Sequence, residues 1–483
     1  MDGSDDPYEA FQYLALIYSI SGDESVYALA RTMWDAITWQ WTQYGQIERE
    51  FDRYYDWMHH GEANLFRYFF GLTKPESLVD RQRADRFARM YTGEDQLAPN
   101  YDAELGIIRA PQFGSVGPRL MVTAEDLDTH RGVLDGYHPP FEDLSTVPFP
   151  ASSTPWNDDA VFAEIIEKMN QRTTRGDLPL KLNATGQMPH AFLYSCDESL
   201  RTWVTEYIAR WRARADDNGG IVPDNLGLSG EVGEYLDGKW WGGHYGWRWP
   251  HGFMTIIEPA VNAGINGLLL TGDSSHLDLA RQQSDVNFAV GHDEGRTWMV
   301  PQKHFDSGWT DYQPASPFHA IHVWARTLGV ADQERVERAR HGQDWSEVRY
   351  PVVISHGGLQ HATVRYYDGT LRRPGLSDAV TALVHSIGPD FVELEIVNLD
   401  LVSPRWVVVQ AGSFDEHRFV DASVGGGTPD PVDGRWVEVE LGPGAGSRIR
   451  LSMERYAQTP SYETPWSRRE DWDPIIRPRS TES

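Results

Sequence analysis

The chain has 483 residues, of which 40% are hydrophobic and 24% are charged, and its formal net charge is -28. A chain of this length and composition can bury a substantial core, and more than one domain is expected. The strongly acidic balance argues against nucleic acid and anionic membranes as partners, because both require clustered lysine and arginine.

The N-terminal residues, the absence of long apolar runs and the cysteine content indicate where the chain folds and which metal sites it lacks. The first residues, MDGSDDPYEA, lack the basic start and apolar core of a signal peptide, and no apolar run is long enough to span a bilayer. We therefore expect a chain outside membranes, with the cytoplasm slightly favoured. The single cysteine, Cys196, excludes an internal disulfide and a multi-cysteine metal site, and we expect it to be a small buried residue.

One local pattern returns along the first part of the chain. YSISGDESVYALARTMW, LYSCDESLRTWVTEYIARW and LLTGDSSHLDLARQQSDV each join the end of one apolar helix to the start of another. Gly22 and Gly272 suit the left-handed residue after a helix, and Asp23, Asp197 and Asp273 suit the cap of the next helix. Repeated helix hairpins predict a helical toroid or solenoid, in which each pair buries its apolar face against its neighbours.

The stretch YYDWMHHGEANLF mixes aromatic and titratable side chains. We interpret it as one wall of a cleft, with Tyr55, His60 and Glu62 as candidate substrate-binding residues. Adjacent histidines usually point in different directions, so no metal site is predicted here. No phosphate-binding glycine loop occurs in the sequence, and no cofactor is predicted.

The segment from Leu97 to Pro155 contains too many prolines and glycines for long helices. Irregular chain of this length inside a compact domain usually covers or lines a functional site. We predict a long connection on one face of the helical domain.

The stretch EYLDGKWWGGHYGWRWPHG, residues 234 to 252, is the most unusual in the chain. Sugar rings present flat C–H faces and a rim of hydroxyls, so a carbohydrate cleft needs aromatic platforms interleaved with polar groups. The alternative is that the tryptophans fill the centre of the helical domain. The candidate substrate-binding residues in and before this run are Lys239, Trp240, Trp241, Trp247, Trp249, His251, Asn225, Glu231 and Glu234.

A third stretch, VPQKHFDSGWTDYQP, is predicted to be a loop bounded by prolines. It supplies His304 and Trp309 as further candidate substrate-binding residues. Each of the three stretches alone lacks a full set of catalytic groups, so we predict that the regions around His60, Tyr245 and His304 meet in one cleft.

The pattern changes near the end of the helical region. RYPVVISHGG, HATVRYYDG, FVELEIVNLD and RWVVVQAGSF are short, rich in valine and isoleucine, and alternate polar with apolar residues. They predict an antiparallel β-sandwich. The predicted domains are residues 1–343, a mainly helical catalytic domain, 344–458, the β-sandwich, and 459–483, a Pro-rich tail on the surface.

A helical toroid followed by a β-sandwich resembles the (α/α)-toroid polysaccharide lyases and the six-hairpin glycoside hydrolases. The SGDES, SCDES and TGDSS turns carry the fold part of this resemblance, and the aromatic run carries the functional part. The resemblance implies an oligo- or polysaccharide substrate, and whether copies of the chain associate is left open.

The toroid lyases remove the proton beside a uronic carboxylate and eliminate the 4-linked sugar, which requires a base, neutralising groups and an acid. Tyr245, His244 and Arg248 match that inventory in type, with Asn183 and His190 as further catalytic candidates. Asn183 and Asn225 could equally be caps or turn residues, and His190 a buried structural histidine.

A glycoside hydrolase would instead need two carboxylates, for which Glu62 and Glu231 are the candidates. A third hypothesis is a noncatalytic sugar-binding protein, although a binding platform does not need so many titratable groups.

Overall fold

The structure, a computed structural model, describes residues 5–64, 67–295, 297–347, 358–467 and 475–476. A helical N-terminal part precedes a strand-rich C-terminal part, as the sequence predicts. The α-helices are α1 Asp5–Glu9, α2 Leu14–Ser21, α3 Glu24–Gln43, α4 Trp57–Asn64, α5 Arg67–Thr73, α6 Leu78–Thr92, α7 Ala124–Leu127, α8 Arg131–Leu134, α9 Asp159–Arg172, α10 Gln187–Ser195, α11 Glu198–Asp217, α12 Met254–Thr271, α13 Asp278–Ala289, α14 Phe318–Thr327 and α15 Val330–Arg340.

Short 3-10 helices and strands complete the chain. The 3-10 helices span Asp128–His130, Pro179–Gly186, Ser274–Leu277 and Trp345–Glu347. The strands are β1 Ile47–Glu48, β2 Phe51–Asp52, β3 Tyr101–Asp102, β4 Ile107–Ile108, β5 His292–Asp293, β6 Trp298–Phe305, β7 Gly308–Pro314, β8 Val364–Asp368, β9 Arg373–Pro374, β10 Val380–Ile387, β11 Phe391–Asn398, β12 Arg405–Ala411, β13 Arg418–Val424, β14 Asp430–Gly434, β15 Trp436–Leu441, β16 Gly446–Glu454 and β17 Ile475–Ile476.

The three predicted helix–helix turns are confirmed. Each has a residue with positive φ after the first helix and an aspartate whose carboxylate accepts a backbone N–H at the start of the next helical segment. The residues with positive φ are Gly22 (68°), Cys196 (53°) and Gly272 (74°), and the capping residues are Asp23, Asp197 and Asp273. The expectation of a buried Cys196 is wrong, because this position after the helix is exposed.

Helix α12 is the centre of the helical part. It is buried on all sides from Thr255 to Leu270, including the polar residues Asn262 and Asn266. It packs against the 3-10 helix Pro179–Gly186, α11, α13 and α14. Hence the segments that carry the candidate site are anchored to a rigid interior. Within the described residues, no helix is long and apolar enough to cross a bilayer.

Two five-stranded sheets form the C-terminal part. Their strand orders are β10-β11-β16-β13-β14 and β17-β15-β12-β8-β9, with antiparallel pairing except between β15 and β17. In β11, Val392, Leu394 and Ile396 are buried, in the alternation of a half-buried strand. These side chains share one apolar core with residues of the second sheet, which defines the predicted sandwich.

The structure departs from the sequence predictions at the predicted loop and at the start of the tail, and one predicted strand is not tested. The predicted loop at residues 300–314 belongs to a β-hairpin, β6–β7, because its polar and apolar residues alternate. The predicted strand RYPVVISHGG lies almost entirely outside the described residues, as do residues 468–474 and 477–483 of the tail. The described start of the tail is not confined to the surface, since Tyr462 is buried and its N–H donates to the carbonyl of Leu193.

Candidate active site

A buried aspartate organises the aromatic run. The carboxylate of Asp224 accepts the backbone N–H groups of Gly242 at 3.0 Å, Gly243 at 2.9 Å and Trp247 at 2.8 Å, and the side-chain amide of Asn225 at 2.9 Å. The backbone approaches so closely that a Cβ atom at position 246 would lie 2.2 Å from a carboxylate oxygen of Asp224. Glycine is therefore required there for space.

No sequence pattern indicates Asp224, whereas its neighbour Asn225 is among the predicted residues. Burial raises the pKa of Asp224, although four donors stabilise its ionised form. Asn225 serves the same loop, because its amide donates to the carbonyl of Lys239 and its oxygen accepts the N–H of Gly233. Both residues position the run.

A second buried carboxylate, Asp56, lies next to Tyr245. The Tyr245 hydroxyl donates to Asp56 Oδ2 at 3.3 Å, and Nδ1 of His59 lies 2.9 Å from both carboxylate oxygens. Burial alone would raise the pKa of Asp56, but His59 and Lys181 outweigh it and hold this pKa well below its usual range. Asp56 is therefore ionised at every physiological pH.

The contact with Asp56 sets the protonation of His59. A carboxylate beside Nδ1 favours a proton on that nitrogen, so in the neutral ring the lone pair is on Nε2. The His59 side chain is 20% exposed, in contrast to Asp56 at 6%. His59 thus has the arrangement of a general base oriented by a carboxylate.

The buried Lys181 interacts electrostatically with Asp56 and was not among the predicted site residues. Its ammonium donates to the carbonyl of Pro111 and lies 3.9 Å from the centre of the Phe113 ring. Burial lowers the pKa of Lys181 to about 7, against the opposing effect of Asp56. Burial also lowers the pKa of His244 to about 4, so this imidazole is neutral near pH 7.

Tyr245 itself has an uncommon backbone conformation. Its φ of 49° lies in the left-handed region, which costs a non-glycine residue on the order of 1 kcal/mol or more. Its ring lies 4.6 Å from that of His244 and 6.4 Å from that of His251. The fold holds this tyrosine against Asp56 despite that cost, as is common at functional sites.

An aromatic patch lies where the same loop contacts the β6–β7 hairpin. It consists of Trp240, Trp241, His304 and Trp309, all partly exposed. The ring centres of the three tryptophans each lie 4.7 Å from that of His304. Burial lowers the pKa of His304 to about 4. The patch is therefore largely uncharged and can present flat faces to a sugar.

Asp306 fixes one edge of the aromatic patch. It accepts the indole N–H of Trp241 at 3.1 Å and the ammonium of Lys239 at 2.7 Å and 2.8 Å. The carboxylate of Glu142, from the Leu97–Pro155 connection, accepts the N–H of Asp306 at 2.8 Å. The long connection thus contributes to the site wall.

Two of the predicted sugar platforms are instead core residues. Trp247 is 0% exposed and donates its indole N–H to the carbonyl of Val222 at 2.7 Å. Trp249 is buried against Trp156, with ring centres 5.9 Å apart. Neither side chain can stack on a substrate, because protein atoms already cover both rings.

Arg248 is placed apart from the contacts of Tyr245. Its guanidinium lies 3.6 Å from Glu142 and 5.6 Å from the ring of Phe305, and it lines a separate cavity of about 130 Å³ with Trp241 and Asp306. Burial lowers the pKa of Arg248 to about 10. The expectation that Arg248 belongs to one catalytic group with Tyr245 and His244 does not match these contacts.

Two of the histidine candidates, His60 and His190, are structural. His60 is 0% exposed, and its Nε2 lies 2.8 Å from the carbonyl of Phe113. His190 is buried, with Nδ1 2.8 Å from the hydroxyl of Tyr462. Burial lowers the pKa of each to about 3. Neither ring reaches the surface, so neither can contact substrate.

The remaining candidates have structural partners or face solvent. Asn183 is buried and accepts the side-chain amide of Asn262 at 2.8 Å, which ties the 3-10 helix to α12. Glu231 is exposed, and the exposed Glu234 accepts the N–H and hydroxyl of Ser229. The side chain of Glu62 lies outside the described residues.

Tyr55 and His251 remain at the edge of the Asp56 group. The Tyr55 hydroxyl lies 3.4 Å from Nε2 of His130, and its ring centre is 4.4 Å from that of His59. The ring of His251 lies 5.4 Å from that of Tyr137. His130 and Tyr137, the partners in two of these contacts, both belong to the Leu97–Pro155 connection.

The three stretches do contact one another. Asp56 joins the first to the aromatic run through Tyr245, and His304 joins the third through Trp240 and Trp241. The prediction is wrong in detail, because His60 faces the core whereas its neighbour His59 faces Asp56. Within the described part of the chain, no three His, Cys, Asp or Glu side chains are arranged to hold a metal ion.

Residues 1–300 and 288–375 match the sequence model of a family described as a domain of unknown function, DUF8034, and the chain belongs to this family. No curated protein matches the chain. Among solved structures, it is similar to a cellobiose 2-epimerase from Bacillus thermoamylovorans, at 9% identity and a TM-score of 0.38 over 70% of this chain and 74% of that one.

Proposed function

We propose that the protein is a carbohydrate-active enzyme that cleaves uronic-acid-containing oligo- or polysaccharides by β-elimination. One observation carries the proposal: Asp56 orients His59 and accepts a hydrogen bond from Tyr245, so a base and an acid share one ionised carboxylate. The partly exposed aromatic patch, formed by the Tyr245 loop and the β6–β7 hairpin, supports a sugar as substrate.

The proposed reaction uses these groups in fixed roles. His59 takes the proton from C5 of the uronate, the C4–O4 bond breaks, and a C4=C5 double bond forms. Tyr245 gives its hydroxyl proton to the departing O4. Asp56 stays ionised and stabilises the His59 imidazolium that results, as carboxylates do in other base–carboxylate pairs.

A glycoside hydrolase is the second candidate, and the low pKa of Asp56 favours it. A carboxylate that stays ionised can act as the nucleophile or base of such an enzyme. The reaction would need a second carboxylate as the acid. Glu231 and Glu234 are exposed and belong to a neighbouring turn, which weakens the case for either.

We further propose that residues 1–343 form the catalytic domain as an (α/α) toroid and that residues 344–458 form the sandwich domain. The recurring helix turns and the fully buried α12 support a closed arrangement of hairpins.

The experiment compares Asp56→Asn, Tyr245→Phe and the control Tyr235→Phe on a panel of uronic-acid polymers. Loss of a proton-transfer residue should lower kcat by about 100-fold or more. Tyr235 is a partly buried tyrosine near the same loop but outside the Asp56 group, so its variant should keep full activity. Full activity in Tyr245→Phe would rule out the assigned acid.

A further inference from the structure

A cleft of about 630 Å³ lies where helix α14 meets the β-sandwich. Its volume falls within the range of small-molecule sites, which is about 300–1,000 Å³. It is separate from the residues around Asp56, and its walls combine aromatic, aliphatic and titratable side chains. Among the residues of these walls are Trp324, Arg326, His361, Glu416, His417 and Arg455.

The cleft contains buried polar atoms that the protein leaves unpaired. The His361 side chain is 3% exposed, and within the described residues neither of its ring nitrogens has a hydrogen-bond partner. Its nearest acidic atom is Glu416 Oε1 at 4.0 Å, which also lacks a partner in the described part of the chain. An unpaired buried polar group is unfavourable, and a ligand in the cleft would supply the missing partners.

Backbone hydrogen bonds hold Glu416 and His417 in place. Oε2 of Glu416 accepts the N–H of Phe414 at 2.7 Å. Nδ1 of His417 accepts the N–H of Tyr456 at 2.9 Å, so the neutral ring carries its proton on Nε2, 3.8 Å from Glu416 Oε1. The cleft therefore has fixed donors and acceptors on one side.

Two arginines give the cleft a positive charge. Arg455 is fixed by donating Nε to the carbonyl of Pro389 at 3.0 Å and Nη2 to that of Gly388 at 3.2 Å. For Arg326, no described residue accepts a hydrogen bond from its buried Nε. Burial, together with the charge of Arg326, lowers the pKa of Arg455, and both arginines line the cleft.

The acidic counterpart is weak near neutral pH. Burial raises the pKa of Glu416 to about 7, so this carboxyl is about half protonated at that pH. Burial lowers the pKa of His417 to about 3 and that of His361 well below its ordinary value, so both rings are neutral. Two arginines and only one carboxyl residue, Glu416, line the cleft among the described residues, a balance that favours an anionic ligand.

We propose that this cleft binds a small ring-shaped organic carboxylate, with Arg326 and Arg455 on the carboxylate, His361 and Glu416 on polar substituents, and Trp324 against the ring. The area of aromatic and aliphatic wall favours an organic body over an inorganic anion. The inference is independent of the proposed elimination reaction, since it uses none of the residues around Asp56.

The test is calorimetric titration of the full chain at pH 7.5 with glucuronate, benzoate and glucose. At least one of the two acids should bind, glucose should not, and Arg326→Gln should weaken acid binding at least tenfold. Arg448→Gln is the matched control, because Arg448 is 59% exposed on the sandwich surface and should not affect binding. Tyr245→Phe should also bind normally, which separates this site from the proposed active site.

A second variant distinguishes a loss of binding from a loss of folding. His361→Leu removes two unpaired buried nitrogens, so acid binding should weaken while the melting temperature stays equal or rises. The proposal is overturned if neither acid binds at millimolar concentration, if glucose binds equally well, or if Arg326→Gln leaves the Kd unchanged. A fall in melting temperature of His361→Leu would assign the ring to the fold instead.

Discussion

Replacement of Asp224 by asparagine should destabilise the aromatic run and the whole helical part. Each carboxylate oxygen of Asp224 accepts two hydrogen bonds: Oδ1 from Gly243 and Asn225, and Oδ2 from Gly242 and Trp247. An asparagine has only one acceptor oxygen, so in either orientation two N–H groups lose their partner. At about 1–3 kcal/mol for each unsatisfied buried donor, the expected loss is about 2–6 kcal/mol.

Urea unfolding followed by circular dichroism measures this loss as a difference in the free energy of unfolding. The matched control is Asp217→Asn, at an exposed position at the end of α11, which should change stability by less than about 0.5 kcal/mol. If Asp224→Asn and Asp217→Asn unfold at the same urea concentration with the same slope, the role assigned to Asp224 is wrong.

Three further predictions concern the aromatic and histidine assignments. Trp247→Ala should cost about 3–5 kcal/mol of stability because the ring is fully buried, and a near-wild-type melting temperature would contradict this. Trp241→Ala should weaken oligosaccharide binding with a much smaller loss of stability, since Trp241 is partly exposed, and unchanged binding in a titration would remove it from the site. For His190, burial lowers the pKa to about 3, so the stability that depends on the neutral ring is complete above pH ~6.5 and is lost as the pH falls. Between pH 7.5 and 5.0 the wild type should therefore lose about 2 kcal/mol relative to His190→Gln in urea unfolding, and a pH-independent difference would show that the ring is accessible to protons.

Features set by neighbouring residues could be predicted from the sequence. The aspartate caps lie within three residues of the N–H groups they accept, and Gly22 and Gly272 supply the positive φ that the turns require. The strands of the sandwich follow from alternation, as in β11. These signals are local, so they can be recognised without knowledge of the tertiary structure.

Features set by distant contacts could not be predicted. His59 and His60 are consecutive, and one helical residue turns the side chain by roughly 100°, so one faces Asp56 and the other the core. Trp241 and Trp247 are the same residue type in one glycine-rich run, and only contacts with Asp306 and Val222 decide which is exposed. Lys181 lies far along the chain from Asp56, and no pattern links the two.

The most direct test of the proposed reaction is the ratio of two products formed by the wild-type protein on an active uronic-acid substrate. Elimination creates one conjugated double bond, detected by ultraviolet absorbance, for every new reducing end. We predict a ratio of about one, because a single C4=C5 bond forms at each cleavage. With Asp56→Asn we predict that both products are lost. Reducing ends that accumulate without ultraviolet absorbance would contradict elimination and assign Asp56 to a glycoside hydrolase.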